Sequence, residues 1–236
     1  MPLVDVPGQC MRRPSYRTEL SGTASGILSG MVESDPADAV DAAVRAEVDA
    51  DPRSMWDRMV AGELYHADDP EIAAAGLAAR SACWKLGQTD PADVASYEEQ
   101  LRDLLGSVGK DAVIWPGLRV DYGQNIHLGD RVFLNVDATI LDVCPVHIGK
   151  DTRIGPAVQI LTPLHPLTDH ALRATGWEYG APITIGENCW FGGNVTVCAG
   201  VTIGDNVVVG AGAVVTRDLP SGVLAMGTPA RVIREL

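Results

Sequence analysis

A histidine, a set of carboxylates and a cluster of arginines carry the chemistry legible in this 236-residue chain. His165 lies in VQILTPLHPLTDH, just after the apolar pair Ile160 and Leu161. An imidazole titrates near neutrality, so a histidine where a wall of regular structure gives way to a loop is a candidate general base. The same position also suits an ordinary surface histidine. His170 follows five residues later and His127 stands upstream, so three imidazoles are available to a zinc ion as well. Arg217, Arg231 and Arg234 fall in the C-terminal part, near glycine-rich backbone, a setting that suits a ligand bearing phosphates. Carboxylates at Asp121, Asp142 and Glu178 are hydrogen-bond acceptors or solvated surface groups.

Positioning such groups falls to an unusual backbone pattern. Ile185, Phe191, Val197, Ile203, Val209 and Val215 recur every sixth residue. A helix repeats its face at about 3.6 residues and a strand at 2, so neither accounts for this interval. Six residues suit a short strand and a corner, after which the chain begins the next wall of one core. Gly186, Gly192, Gly204, Gly210 and Gly212 lie between the rungs, with Asn188, Asn194 and Asn206. Both residue types tolerate the positive φ that sharp corners need. The same phase runs through Leu128, Leu134 and Ile140, slips at Val143 to Pro145, and returns at Ile148, Ile154 and Ile160. It fails from Thr162 to Pro182, an interval too rich in polar residues, Pro and Gly to form a wall. The pattern predicts a mainly β chain coiled as a β-helix of hexapeptide repeats, with a loop extruded at 162–182.

Ahead of the repeats, helices are predicted over 36–50, 54–65, 70–87 and 94–106, the last capped by Asp93 or Ser96. The expected organisation is an N-terminal extension over 1–53, disordered over its first 34 residues, then a helical cap over 54–108. The β-helix, with its extruded loop and a C-terminal tail, follows over 109–236. A cap is physically required because an open coil end exposes strand edges.

Composition excludes several classes. With 31 acids against 18 bases and a net charge of −13, the chain is a poor partner for nucleic acid. Its acid-rich, lysine-poor makeup suits a salt-rich cytoplasm and equally a GC-rich genome. There is no run of eighteen apolar residues, so no membrane span is expected. No apolar segment follows Arg12 and Arg13, so no signal peptide is expected either. Five cysteines without CxxC spacing read as buried free thiols, which agrees with a cytoplasmic location.

Several segments together resemble the maltose and galactoside O-acetyltransferases, a family of hexapeptide-repeat acyltransferases, and the maltose type most nearly. They are MVAGELYHADDPEI (59–72), NVDATILDVCPVHIG (135–149), VQILTPLHPLTD (158–169), the repeats over 181–220, and GTPARVIREL (227–236). The resemblance runs from about Ser54 to Leu236. It implies a left-handed parallel β-helix that transfers an acetyl group from acetyl-CoA to a sugar hydroxyl, with no metal required. It assigns the general base to His165 and acceptor contacts to Asn135, Asp121 and Asp68, with Asp142 and Glu178 as weaker candidates. Glu178 would orient His165. Trp190, Gly193, Ala211, Thr216, Arg217, Arg231 and Arg234 would line the coenzyme A cleft. A homotrimer with that cleft between two subunits is expected. The galactoside type has a carboxylate where this chain has Val143, a departure that favours the maltose type. Two other readings stand beside this one. The three histidines resemble the zinc site of gamma carbonic anhydrases, which are also left-handed β-helix trimers, and a solenoid can serve as a non-catalytic scaffold.

Overall fold

The computed structural model describes residues 36–90 and 92–236. The expectation of a disordered segment over 1–34 lies outside the described residues. Three parallel sheets form the walls of a prism. The first wall stacks Ser107–Val108, Ile126–Leu128, Val146–Ile148, Ile183–Ile185 and Thr202–Ile203. The second stacks Val113–Ile114, Phe133–Leu134, Arg153–Ile154, Trp190–Phe191, Val208–Val209 and Val223–Met226. The third stacks Arg119–Val120, Thr139–Leu141, Gln159–Leu161, Thr196–Val197 and Val214–Val215. Rung meets rung in register, as where Phe191 lies between Ile154 and Val209. The six rungs from Ile185 to Val215 are all buried at 1% exposure or less. Burying each such side chain contributes about 1.5–3 kcal/mol, enough to enforce the six-residue spacing.

The corner residues divide two tasks. Asn188, Asn194 and Asn206 take positive φ, as do Asp137, Asp151 and even Ala157. Gly192 and Gly204 do not; they let successive coils touch. A Cβ on Gly192 would sit 2.5 Å from the Ala211 amide nitrogen of the next coil.

Every break in the repeat falls on the corner between the third wall and the first. The steps from Val120 to Leu128 and from Ile140 to Ile148 each span eight residues instead of six. The long interval after Leu161 leaves the prism at the same corner. That interval is an ordered arm. Pro163–Leu164 pairs antiparallel with Trp177–Gly180, which in turn pairs with Tyr65–His66 of the cap, and a short helix, His170–Ala174, closes the arm's tip.

Helices at Pro36–Asp49, Met55–Val60, Pro70–Leu86 and Val94–Leu104 precede the coils. Asp93 caps the last, accepting from the Ser96 amide. The helix predicted over 54–65 ends at Val60 because Gly62 turns the chain at φ +79°, and Tyr65–His66 becomes a strand. Leu86, Leu101 and Leu104 continue the prism's core, so the helices close its first coil. At the other end Arg231–Glu235 folds back antiparallel on Val223–Met226.

Candidate active site

The corner that breaks the repeat opens a cavity of about 470 Å³. The cap contributes Tyr65, Asp68, Gly76 and Arg80; the coils contribute Asp121, Tyr122, Leu141 and Val143; the arm contributes Pro163 and Glu178. Three of the residues expected to meet an acceptor, Asp68, Asp121 and Glu178, thus share one chamber although they lie far apart in sequence.

Asp142 does not reach it. Its side chain is fully buried, and both carboxylate oxygens are taken by the neighbouring coil. Oδ1 accepts from the Asp121 and Tyr122 amides at 3.1 and 2.9 Å, and Oδ2 accepts from the Asn125 amide at 3.2 Å. The expectation that Asp142 contacts an acceptor is therefore corrected: it shapes the 121–125 turn that presents Asp121. Burial, opposed by those amides, still pushes its carboxyl up to about 6. Asp121 is also raised to about 6, by burial first and then by the charges of Asp142 and Glu178, with Arg80 opposing.

Glu178 Oε2 accepts from the Tyr65 hydroxyl at 2.7 Å, a partner other than the expected His165. Burial, and then that bond, push the Tyr65 hydroxyl far above its usual range. Asp68 is 92% exposed at the rim, with Oδ2 3.8 Å from His66 Nδ1. His165 stands exposed one residue beyond the arm strand, and among the described residues no hydrogen bond or ion pair engages it. Tyr65, Tyr122 and Arg80 were missed as lining residues. The two tyrosines lie within LYHADD (64–69) and VDYGQ (120–124), beside Asp68 and Asp121. Arg80 carries no such signal, since only the docking of its helix turns it toward the cavity.

The donor candidates lie elsewhere, and so does Asn135, a residue expected to meet the acceptor but absent from the cavity lining. Asn135 and Trp190 line a smaller pocket of about 240 Å³ with Phe133, Arg153, Gly155 and Pro156. That pocket lies where the second wall turns into the third, one corner away from the cavity. The Asn135 side chain accepts from the Val136 amide at 2.8 Å, and Trp190 is 58% exposed. Gly193 and Ala211 continue that corner on later coils, where the Gly212 amide donates to the Gly193 carbonyl at 3.0 Å. Thr216 and Arg217 follow the last rung at the repeat-breaking corner, and Arg231 and Arg234 are exposed on the final strand. A single chain therefore does not bring the Asn135 and Trp190 pocket and the acceptor cavity into one cleft.

The three-histidine arrangement does not form within the chain. His127 stacks on His147 of the next coil with centroids 4.8 Å apart, on the first wall, whereas His165 and His170 belong to the arm. Among the described residues no three His, Cys, Asp or Glu side chains converge to hold a metal ion. Cys83, Cys144 and Cys189 are free thiols, Cys144 and Cys189 being buried. None of the described helices is long and apolar enough to cross a membrane.

A capped prism of hexapeptide coils is the architecture this chain shares with hexapeptide-repeat acyltransferases of known structure. Residues 58–109 match the maltose acetyltransferase hexapeptide capping motif, and residues 182–217 match the hexapeptide repeat of succinyl-transferase. Nodulation protein L of Rhizobium meliloti is 47% identical over 180 residues, which are 76% of this chain and 98% of that one. A crystal structure of a maltose O-acetyltransferase from Clostridium difficile is 41% identical and superimposes with a TM-score of 0.77 over 79% of this chain and 99% of that one. A galactoside acetyltransferase in complex with coenzyme A is 38% identical, with a TM-score of 0.74 over 78% and 91% of the two chains. The chain belongs to the maltose and galactoside O-acetyltransferase family.

Proposed function

We propose that the chain transfers an acetyl group from acetyl-CoA to a hydroxyl of a maltose- or glucose-like sugar. The observation that carries this reading is the cavity beneath the arm. Its carboxylates at Asp121 and Glu178 accept, and the hydroxyls of Tyr65 and Tyr122 donate, hydrogen bonds of the kind a polyhydroxyl ligand pairs with. Val143 in the same lining places an apolar group where the galactoside type carries a carboxylate.

His165 acts as the base. It takes the proton of the sugar hydroxyl, and the oxygen attacks the acetyl carbonyl. Backbone N–H groups of a neighbouring coil stabilise the oxyanion, and collapse releases the coenzyme A thiolate, which recovers a proton from the imidazolium. No covalent acetyl-enzyme is needed, so most of the gain comes from holding two substrates together. Trp190, Gly193 and Ala211 would flank the pantetheine arm with Asn135 beside the acceptor. Arg217, Arg231 and Arg234, with Thr216, would hold the phosphates. The likeness to a galactoside acetyltransferase bound to coenzyme A supports the donor. The separation of the two pockets by one corner supports a homotrimer, in which the pocket of one subunit faces the cavity of the next. The chain divides functionally into a cap over 54–108, which closes the acceptor cavity, and a β-helix over 109–236.

The test is acetyl-CoA turnover across maltose, glucose, galactosides and chitooligosaccharides, with His165→Ala as control. That variant should keep coenzyme A binding and lose about 10²-fold or more in turnover. Undiminished turnover removes the base assignment, and no thermal shift with coenzyme A removes the enzyme reading in favour of a scaffold.

A further inference from the structure

The helix Pro36–Asp49 precedes the family's capping motif, which begins at residue 58, yet it packs directly on the arm. The arm's central strand alternates its two faces. Glu178 points into the acceptor cavity, bonded to Tyr65. Trp177 points the other way and is fully buried. Its indole Nε1–H donates to Asp41 Oδ1 at 2.8 Å, and the Arg45 guanidinium lies 5.5 Å from the centre of its ring. Asp41 Oδ2 accepts from Arg45 Nε at 2.7 Å, so one carboxylate joins the helix to itself and to the arm. His66 of the cap packs edge-on against the same indole, 5.4 Å between centroids, and its Nε2 lies 3.0 Å from the Thr175 carbonyl. Val48 and Leu64 complete this small core with Trp177, and Val44 and Leu172 pack against it.

His165 is tied to this strand at one remove. Leu164 pairs with Tyr179, two residues from Trp177, and His165 is the next residue. A rotation of the strand about its axis therefore moves Glu178 and the imidazole together.

We propose that the helix Pro36–Asp49 is a clasp that sets the position of the arm, with Asp41 as a positioning residue acting through Trp177. The arm joins the prism at its base, and it meets the cap through the two-residue strand Tyr65–His66, through Leu64 and through the helix Met55–Val60. Without the helix, the outer face of Trp177 would open to water and the arm would hinge on those contacts. The catalytic part of this inference rests on His165 being the base.

The test uses the full-length chain carrying Asp41→Ala, Asp41→Asn or His165→Ala. Turnover is read beside hydrogen exchange measured peptide by peptide. Asp41→Ala should lower kcat about tenfold and leave the KM for acetyl-CoA within about twofold, because Trp190, Gly193 and Ala211, which flank the pantetheine arm, lie on another corner. Exchange should rise in peptides spanning 163–180 and stay unchanged in the coils over 183–215. Asp41→Asn keeps an oxygen for the indole N–H and should recover kcat to within about threefold of the parent. Unchanged arm exchange, or exchange rising equally in arm and coils, overturns the clasp. Arm exchange that rises while kcat stays at the parent value overturns its positioning role. His165→Ala with parental kcat would end the base assignment, while the exchange data in Asp41→Ala would still decide whether the helix holds the arm.

Discussion

Gly180 is the point where the arm re-enters the prism, and adding one methyl group there tests how the site is assembled. A Cβ at Gly180 would lie 2.6 Å from Cys144 Sγ and 2.7 Å from Val143 Cγ2, roughly 1 Å inside ordinary contact. Neither neighbour can swing away. The Cys144 thiol donates to the Met59 carbonyl at 3.3 Å, and Val143 is a buried β-branched side chain. On the cap side Gly62 already approaches so closely that its own Cβ would meet the Gly180 carbonyl oxygen at 2.8 Å. The strain in Gly180→Ala must therefore go into lifting the arm. Overpacking of this kind costs about 1–3 kcal/mol, which for a chain of this size lowers Tm by about 2–12 °C. A lift of about 1 Å misplaces Glu178 and, through the Leu164 and Tyr179 pairing, His165, so kcat should fall by about 10²-fold. Cys144→Ala creates room at the closer contact, and the double variant should regain part of both losses as a non-additive coupling. Calorimetry and steady-state acetyl transfer on the two single variants and the double variant measure this directly. A Gly180→Ala protein with parental Tm and kcat, or two losses that simply add, would refute the argument that this contact positions the arm.

Four further outcomes follow. Asp121 titrates near pH 6 through burial and its acidic neighbours, so its acceptor strength is lost on acidification; the acceptor KM should rise below about pH 6 in the parent and lose that limb in Asp121→Asn. Because the folded-state pKa is raised, the group's contribution to stability is present below about pH 4 and lost as pH rises through about 6, so Asp121→Asn should raise Tm more at pH 8 than at pH 4. Asp142→Ala strips the acceptor from the buried amides of Tyr122 and Asn125, a loss of about 2–6 kcal/mol at about 1–3 kcal/mol per donor, which urea denaturation will report; a change below about 0.5 kcal/mol would mean that the 121–125 turn does not depend on this carboxylate. Replacing Arg231 and Arg234 together by Ala should raise the acetyl-CoA KM by about tenfold or more, in a salt-sensitive way, and leave the acceptor KM unchanged in a steady-state assay varying each substrate in turn.

The six-residue spacing by itself determined the walls of this protein. A position that recurs once per wall must be aliphatic to fill the prism, so the rungs Ile185 to Val215 were legible as one core before any contact was known. Asn188, Asn194 and Asn206 marked corners for the same local reason: few other residues hold positive φ at small cost. His165 could be singled out because the apolar phase fails beside it. Tertiary structure alone decided that each failure of the phase falls on one corner, since the stacking of coils twenty or more residues apart superimposes the breaks. It also separated Asp121, which faces the cavity, from Asp142, whose oxygens the coil consumes. It turned Arg80 inward and brought Asp41 to Trp177 across 136 positions of sequence. Periodicity records which way a side chain faces within its own coil. The partner it finds there depends on what another coil, the cap or the arm lays beside it.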